Sequence, residues 1–264
     1  MNQIMPKKLV NDIEIYYEII GEGEPLLLVH GLGSSTRDWE ASVPIFSKDY
    51  QVITVDIRGH GKTDKPKGPY NIKNFAKDIA EILMLLELNS VNVLGISLGG
   101  MIVIQLTIDY PELIKTLAVV NSAPTSGDLS LFEKVINDRI EIIKAKGMRG
   151  IGEAIAPVLF IKPEQEELRN KFVERWAENN PEAYISALKS IKAWSVSDDQ
   201  LHTIKCPTLI LASDQDYSPV SVKKELVKKI QNSHLVIIND ARHALPIEKP
   251  EEFNAAVMEF LLKY

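Results

Sequence analysis

One cysteine in 264 residues leaves nothing to pair with, so an intrachain disulfide is excluded. Cys206 opens the apolar run "CPTLILA" and reads as a small buried hydrophobe, and a reducing cytoplasm is the simplest setting. No stretch approaches the ~20 apolar residues that a membrane helix requires. After the lysines of "MNQIMPKKLV" no apolar core of signal-peptide length follows, so neither export nor a membrane partner is expected. Basic clustering is also missing. The net charge is −6, and even in "KPKGPYNIKNFAK" the lysines stand singly, which argues against nucleic acid as a partner. No closely spaced His/Cys set and no phosphate-cradling glycine loop occur, so no metal and no organic cofactor are implied.

What is present is a core-forming chain, 45% hydrophobic and 25% charged. Short apolar strands ("LLLVHG", "YQVITVD", "SVNVLGIS", "IKTLAVVNSA", "CPTLILAS", "HLVIIND") alternate with helical patterns such as 72–87 and "LGGMIVIQLTIDY". That alternation predicts an α/β fold, a mostly parallel sheet covered by helices on both faces. Residues 123–200 break the rhythm with successive amphipathic helices and no strand. The expected organisation is therefore a core domain, 1–122 and 201–264, with a helical cap (lid), 123–200, inserted between strands 6 and 7.

"GISLGG" places Ser97 between an apolar strand and an apolar helix. G-x-S-x-G in that context is a nucleophile elbow: a sharp turn lifts the serine hydroxyl above the sheet edge and aims a helix N-terminus at developing negative charge. Acyl transfer also needs two N–H donors for the oxyanion. Leu98, after the nucleophile, supplies one, and Leu32 in "HGLG" is the candidate for the other, with His30 holding that loop. Among five histidines, His243 follows the last strand in "INDARHALP" and is the candidate base. His60 reads as scaffold, and His202 and His234 as solvent-exposed. The order Ser, acid, His then points to "LILASDQDYSPV", which offers both Asp214 and Asp216.

With "HGLG", "DIRGHGKTD", "GISLGG", "CPTLILASDQDYSP" and "ARHALPIEKPEEF" in place, the chain resembles the α/β-hydrolase superfamily over nearly all its length outside the cap. The order of features is similar to small carboxylesterases and 3-oxoadipate enol-lactone hydrolases. The resemblance implies an α/β-hydrolase fold, a Ser97-His243-Asp216 triad, and Asp216 rather than Asp214 as the acid. Serine at position 97 argues against relatives with a carboxylate nucleophile. The implied activity is hydrolysis of small carboxylic esters through an acyl-enzyme. The alternatives are an enol-lactonase-like or C–C bond hydrolase on an acidic ring-cleavage product, or a low-turnover ligand-binding member. The expected partner is a small-molecule ester or lactone, and monomer and homodimer both remain open. In the cap, Phe160, Trp176 and Trp194 are candidate pocket residues, with Leu159 and Tyr184 beside them, each also suited simply to packing the cap onto the body. Arg139 and Arg149 are candidates for pairing with a substrate carboxylate.

Overall fold

Runs such as Val91–Ile96 and Thr208–Ser213 are buried along their whole length, which requires cover on both faces of a sheet. The computed structural model describes residues 6–125 and 127–264. Residues 1–5, part of the segment read as lacking an export signal, lie outside the described residues. The chain passes through β1 (Lys7–Val10), β2 (Ile13–Ile20), β3 (Glu24–Val29), α1 (Val43–Phe46), β4 (Tyr50–Val55), α2 (Ile72–Leu85), β5 (Val91–Ile96), α3 (Leu98–Asp109) and β6 (Ile114–Val120). It continues through α4 (Leu129–Leu159), α5 (Glu166–Ala177), α6 (Pro181–Lys192), α7 (Asp198–His202), β7 (Thr208–Ser213), α8 (Val220–Lys229), β8 (Ser233–Ile238), α9 (Leu245–Glu248) and α10 (Pro250–Leu261).

The strands form one eight-stranded sheet in the order β1-β2-β4-β3-β5-β6-β7-β8. β1–β2 and β2–β4 are antiparallel, and every later pairing is parallel. Alternation along β3 shows how both faces are used. Leu27 and Val29 pack with α2 and α3 residues such as Ile79 and Ile102, while Leu26 and Leu28 face Trp39, Phe46 and α10. α3 is apolar all round and is buried from Leu98 to Thr107. β1 was not anticipated: three of its four residues are exposed, so it carries no apolar alternation and is defined by pairing with β2. Cys206 is half-buried at the edge of the core rather than fully enclosed.

α4–α6 lie between β6 and β7 and share a core of their own, including Ile151, Phe160, Phe172, Trp176, Tyr184 and Leu188. α4 consists of two helical halves that meet at Gly147, whose φ of 65° interrupts the helix. An antiparallel bridge between Thr125 and Ser195 links the two ends of the insertion, a contact with no strand pattern to announce it. Among the described residues, no helix is long and apolar enough to cross a membrane.

Candidate active site

The parallel strands deliver their carboxyl ends, and the loops that follow, to one edge of the sheet. At the end of β5, Ser97 adopts φ 55° and ψ −118°, strained for a residue with a side chain. The flanking glycines make this turn possible. A Cβ on Gly95 would sit 2.2 Å from the Gly99 carbonyl oxygen, and one on Gly99 would sit 2.1 Å from that of Val29. The Ser97 N–H donates to Val120 O (3.0 Å), and its carbonyl accepts from Ser122 Oγ (2.7 Å), so β6 holds the elbow from both sides.

His243 follows β8, and its Nδ1 lies 2.5 Å from Asp216 Oδ1. The two aspartates of "SDQD" therefore separate by geometry. Asp216 meets the imidazole, while Asp214 turns away and accepts the Ala241 N–H through Oδ1 (3.1 Å), bracing the histidine loop from below. Asp216 is 1% exposed. Burial alone would raise its carboxyl, but the hydrogen bond and charge of His243 and the charge of Lys223 outweigh it and hold the group at about 2.

Three side chains to which the sequence assigned no role complete this arrangement. Lys223, on α8 and fully enclosed, donates to Asp216 Oδ2, to Ser218 Oγ and to Ser218 O (2.6 Å). Asn121, at the end of β6, donates through Nδ2 to the carbonyls of His243 (3.0 Å) and Arg242 (3.2 Å), and its Oδ1 accepts the Ser213 N–H (2.8 Å). Ser213 Oγ in turn donates to Arg242 O (2.6 Å). The polar ends of β6 and β7 thus clamp the histidine loop. The signal that would have found Asn121 is a buried amide at a strand end.

Ser97, Asp216, His243, Leu32 and Leu98 all border one cavity of ≈ 580 Å³. Leu98 opens α3, so its N–H has no carbonyl one turn back to bond. Leu32 lies between Gly31, whose added Cβ would stand 3.4 Å from Ser97 Cβ, and Gly33. His30 is not available as a base. Its ring spans the Gly31 carbonyl (2.7 Å, from Nδ1) and the Ile57 N–H (3.1 Å, to Nε2), and burial pushes it down to about 4 against the pull of that carbonyl. His60, equally enclosed, is pushed down to about 3, chiefly by burial and then by His30. His202 is exposed, whereas His234 is half-buried with its ring 5.4 Å from that of Phe260, so the expectation of full exposure fails there. In the 56–62 loop, the Asp56 carboxylate accepts the N–H groups of Thr36 and Lys62 (2.7 Å each), tying this loop to the chain beyond Leu32.

Of the cap candidates, Trp176 and Leu159 line the cavity. Phe160 does not: it is completely buried, its ring edge-on to Phe172 at 5.6 Å. Trp194 does not either, because its indole N–H donates to Gln105 Oε1 of α3 (2.8 Å), pinning the end of the cap to the core. Aromatic bulk announced burial at both positions but not which side of the cap they would face. Tyr184 packs beneath Trp176, its hydroxyl accepting from Arg139 Nη1 (2.7 Å). Arg139 borders the cavity, while Arg149 pairs with Glu174 on the surface (2.6 and 2.9 Å). Among the described residues no cluster of His, Cys, Asp and Glu suited to a metal ion occurs.

Residues 24–147 match the family described as alpha/beta hydrolase fold. A relative from Acinetobacter baylyi, (E)-2-((N-methylformamido)methylene)succinate hydrolase, is 28% identical, with 96% of each chain covered. The solved enol-lactonase from Burkholderia xenovorans LB400 superposes with a TM-score of 0.90 at 26% identity, covering 97% of this chain and 100% of that one. A thermophilic esterase from Thermogutta terrifontis, solved with malate bound, gives 0.88 at 25% identity over 100% and 99% of the two chains. With this sheet order, this elbow and these relatives, the chain is a member of the α/β-hydrolase superfamily that resembles the enol-lactonases.

Proposed function

We propose that the protein is a serine hydrolase that cleaves carboxylic esters through an acyl-enzyme. The carrying observation is the His243–Asp216 hydrogen bond of 2.5 Å beside a cavity that also exposes the strained Ser97. In this reading Asp216 fixes the proton on Nδ1, leaving Nε2 to take the proton of Ser97 as it attacks the carbonyl carbon. The oxyanion is met by the N–H groups of Leu32 and Leu98. His243 returns the proton to the departing alcohol, and a water molecule, activated in the same way, then releases the acid and regenerates Ser97. The test is hydrolysis of p-nitrophenyl acetate and butyrate by the purified protein. Turnover is expected, with loss to background in Ser97→Ala at unchanged circular dichroism. Undiminished turnover in that variant would overturn the reading.

A second reading, an ester or lactone that itself carries a carboxylate, is favoured by Arg139. It is the one lysine or arginine among the described residues lining the catalytic cavity, and its guanidinium donates to a phenol rather than to a carboxylate. A planar guanidinium with donors to spare suits a carboxylate. Support also comes from the relatives, one named for a succinate derivative and another solved with malate. The same cavity serves an enol-lactone or, by C–C cleavage, another acidic ring-cleavage product. Comparing a neutral ester with its carboxylated analogue separates the readings. Arg139→Met should raise KM for the carboxylated compound at least tenfold and leave the neutral one unchanged. Equal effects on both would remove Arg139 from substrate recognition.

A further inference from the structure

We propose that Lys223 is a positioning residue of this site, holding the Asp216 carboxylate by Oδ2 so that Oδ1 faces His243, and using its charge to offset the pull of that carboxylate on a proton at the imidazole. The inference rests on the ester-hydrolase reading and adds to it a residue outside the serine, histidine and aspartate. Lys223 is 0% exposed, so its ammonium has no water to fall back on and is satisfied within the fold. It meets Asp216 Oδ2 and both oxygens of Ser218, while Ser218 Oγ itself lies 3.1 Å from Oδ2. One carboxylate oxygen is therefore fully occupied, and the other is left to a single partner, Nδ1 of His243.

Placement on the helix explains how a lysine comes to be there. Lys223 and Leu226 stand three apart on the buried side of α8, with exposures of 0% and 1%, and Ile230, just past the helix end, is buried as well at 1%. The lysine thus occupies a core position of an amphipathic helix and runs its methylene stem through the core to reach the acid. A methionine would satisfy the packing there. What the ammonium adds is a fixed positive charge one carboxylate away from the imidazole.

The electrostatic consequence has a definite sign. A lone Asp216 anion would attract a proton onto His243, and the Lys223 cation beyond it offsets part of that attraction. Other charged or titratable groups around the imidazole are Tyr217, whose ring centre is 4.4 Å away, Arg139 and Asp38 on the cavity wall, and Arg242 beside it in sequence. None of these four bonds the Asp216 carboxylate, so Lys223 is the group through which the acid is both oriented and neutralised. Without it the acid would draw a proton onto the base at higher pH, and the acidic limb of kcat/KM would move upward. With the ammonium one carboxylate away from the imidazole and screening between that of water and that of a protein site, the shift is on the order of one pH unit.

The experiment is the pH dependence of kcat/KM for p-nitrophenyl acetate from pH 4.5 to 9 in wild type, Lys223→Met and Lys223→Gln, with Ser97→Ala as control. Both Lys223 variants should move the acidic limb up by about one unit. A glutamine side chain keeps hydrogen-bond donors within reach of the acid and loses only the charge, so K223Q should recover more of the plateau kcat than K223M. Variants that lose thermal stability but keep the wild-type limb would show a purely structural lysine and overturn the proposal. Activity surviving in Ser97→Ala would instead overturn the hydrolase reading beneath it. Should both lysine variants fail to fold, the wild-type protein still decides: the ¹⁵N signal of the Lys223 ammonium should shift in the titration that protonates His243, and a signal indifferent to it sinks the idea.

Discussion

Asp216→Asn tests how the three charged groups of the site depend on one another. In the wild-type protein Oδ1 faces His243 Nδ1 and Oδ2 faces the Lys223 ammonium. An asparagine has only one oxygen to offer. The enclosed ammonium is the stronger claimant, so the amide oxygen takes the Lys223 side and the amide NH₂ turns to His243. The imidazole must then accept at Nδ1 and carry its proton on Nε2, the nitrogen required as base. The expected loss in kcat is about 10⁴-fold, equivalent to about 5.5 kcal/mol of transition-state stabilisation. Folding suffers separately, because a buried cation is left without its counter-charge, which costs about 3 kcal/mol. For a chain of this length that lowers Tm by roughly 6–12 °C. The double variant Asp216→Asn/Lys223→Met should regain much of the stability and, with the amide oxygen freed to accept from His243 Nδ1, part of the activity. Asp214→Asn, which keeps an oxygen for the Ala241 N–H, should lose less than tenfold in kcat. Stopped-flow and steady-state ester hydrolysis with calorimetry on the four proteins measures all of this. If Asp214→Asn proved the more damaging change, the assignment of the acid would be refuted.

Other consequences are simpler to state. Gly99→Ala drives a methyl group to 2.1 Å from the Val29 carbonyl, so the elbow and the oxyanion loop cannot both keep their places. A Tm drop corresponding to about 3 kcal/mol or more, with loss of activity, is expected by calorimetry. Stability should also fall in acid for an assignable reason. The Asp216 carboxyl is held at about 2 against an ordinary 3.8, so its contribution is complete above about pH 4 and disappears as pH falls toward 2. The amount is about 2 kcal/mol, and urea unfolding at pH 5 and pH 3 should show a steeper loss in wild type than in Asp216→Asn. Equal losses would mean that other carboxyls control acid unfolding.

Much of the site could be read from the chain because its parts sit at points where sequence patterns change. Ser97 stands where an apolar strand meets an apolar helix, and His243 stands directly after the last strand, so local patterning located both. The choice between Asp214 and Asp216 rested on the family resemblance, since both follow β7 within three residues of its end, and only the direction of each side chain distinguishes them. Lys223 was missed because "VSVKKELVKK" reads as a solvated, lysine-rich helix. The clue lay in its phase with Leu226 rather than in its identity. The cap failed in the opposite way. Phe160 and Trp194 have the character of pocket residues, yet a helical insertion must first pack on itself and on the body, and these two do that. Which face of a cap helix meets the cavity depends on tertiary placement, which helical period cannot convey.

The most direct test of the central claim is to trap the acyl-enzyme analogue. The protein would be treated with a p-nitrophenyl alkylphosphonate, its intact mass measured, and the modified peptide sequenced by tandem mass spectrometry. One adduct per chain, located on Ser97 and accompanied by complete loss of esterase activity, is the expected result. Full inactivation with the adduct on another residue, or continued turnover with Ser97 fully modified, would contradict a serine acyl-enzyme mechanism.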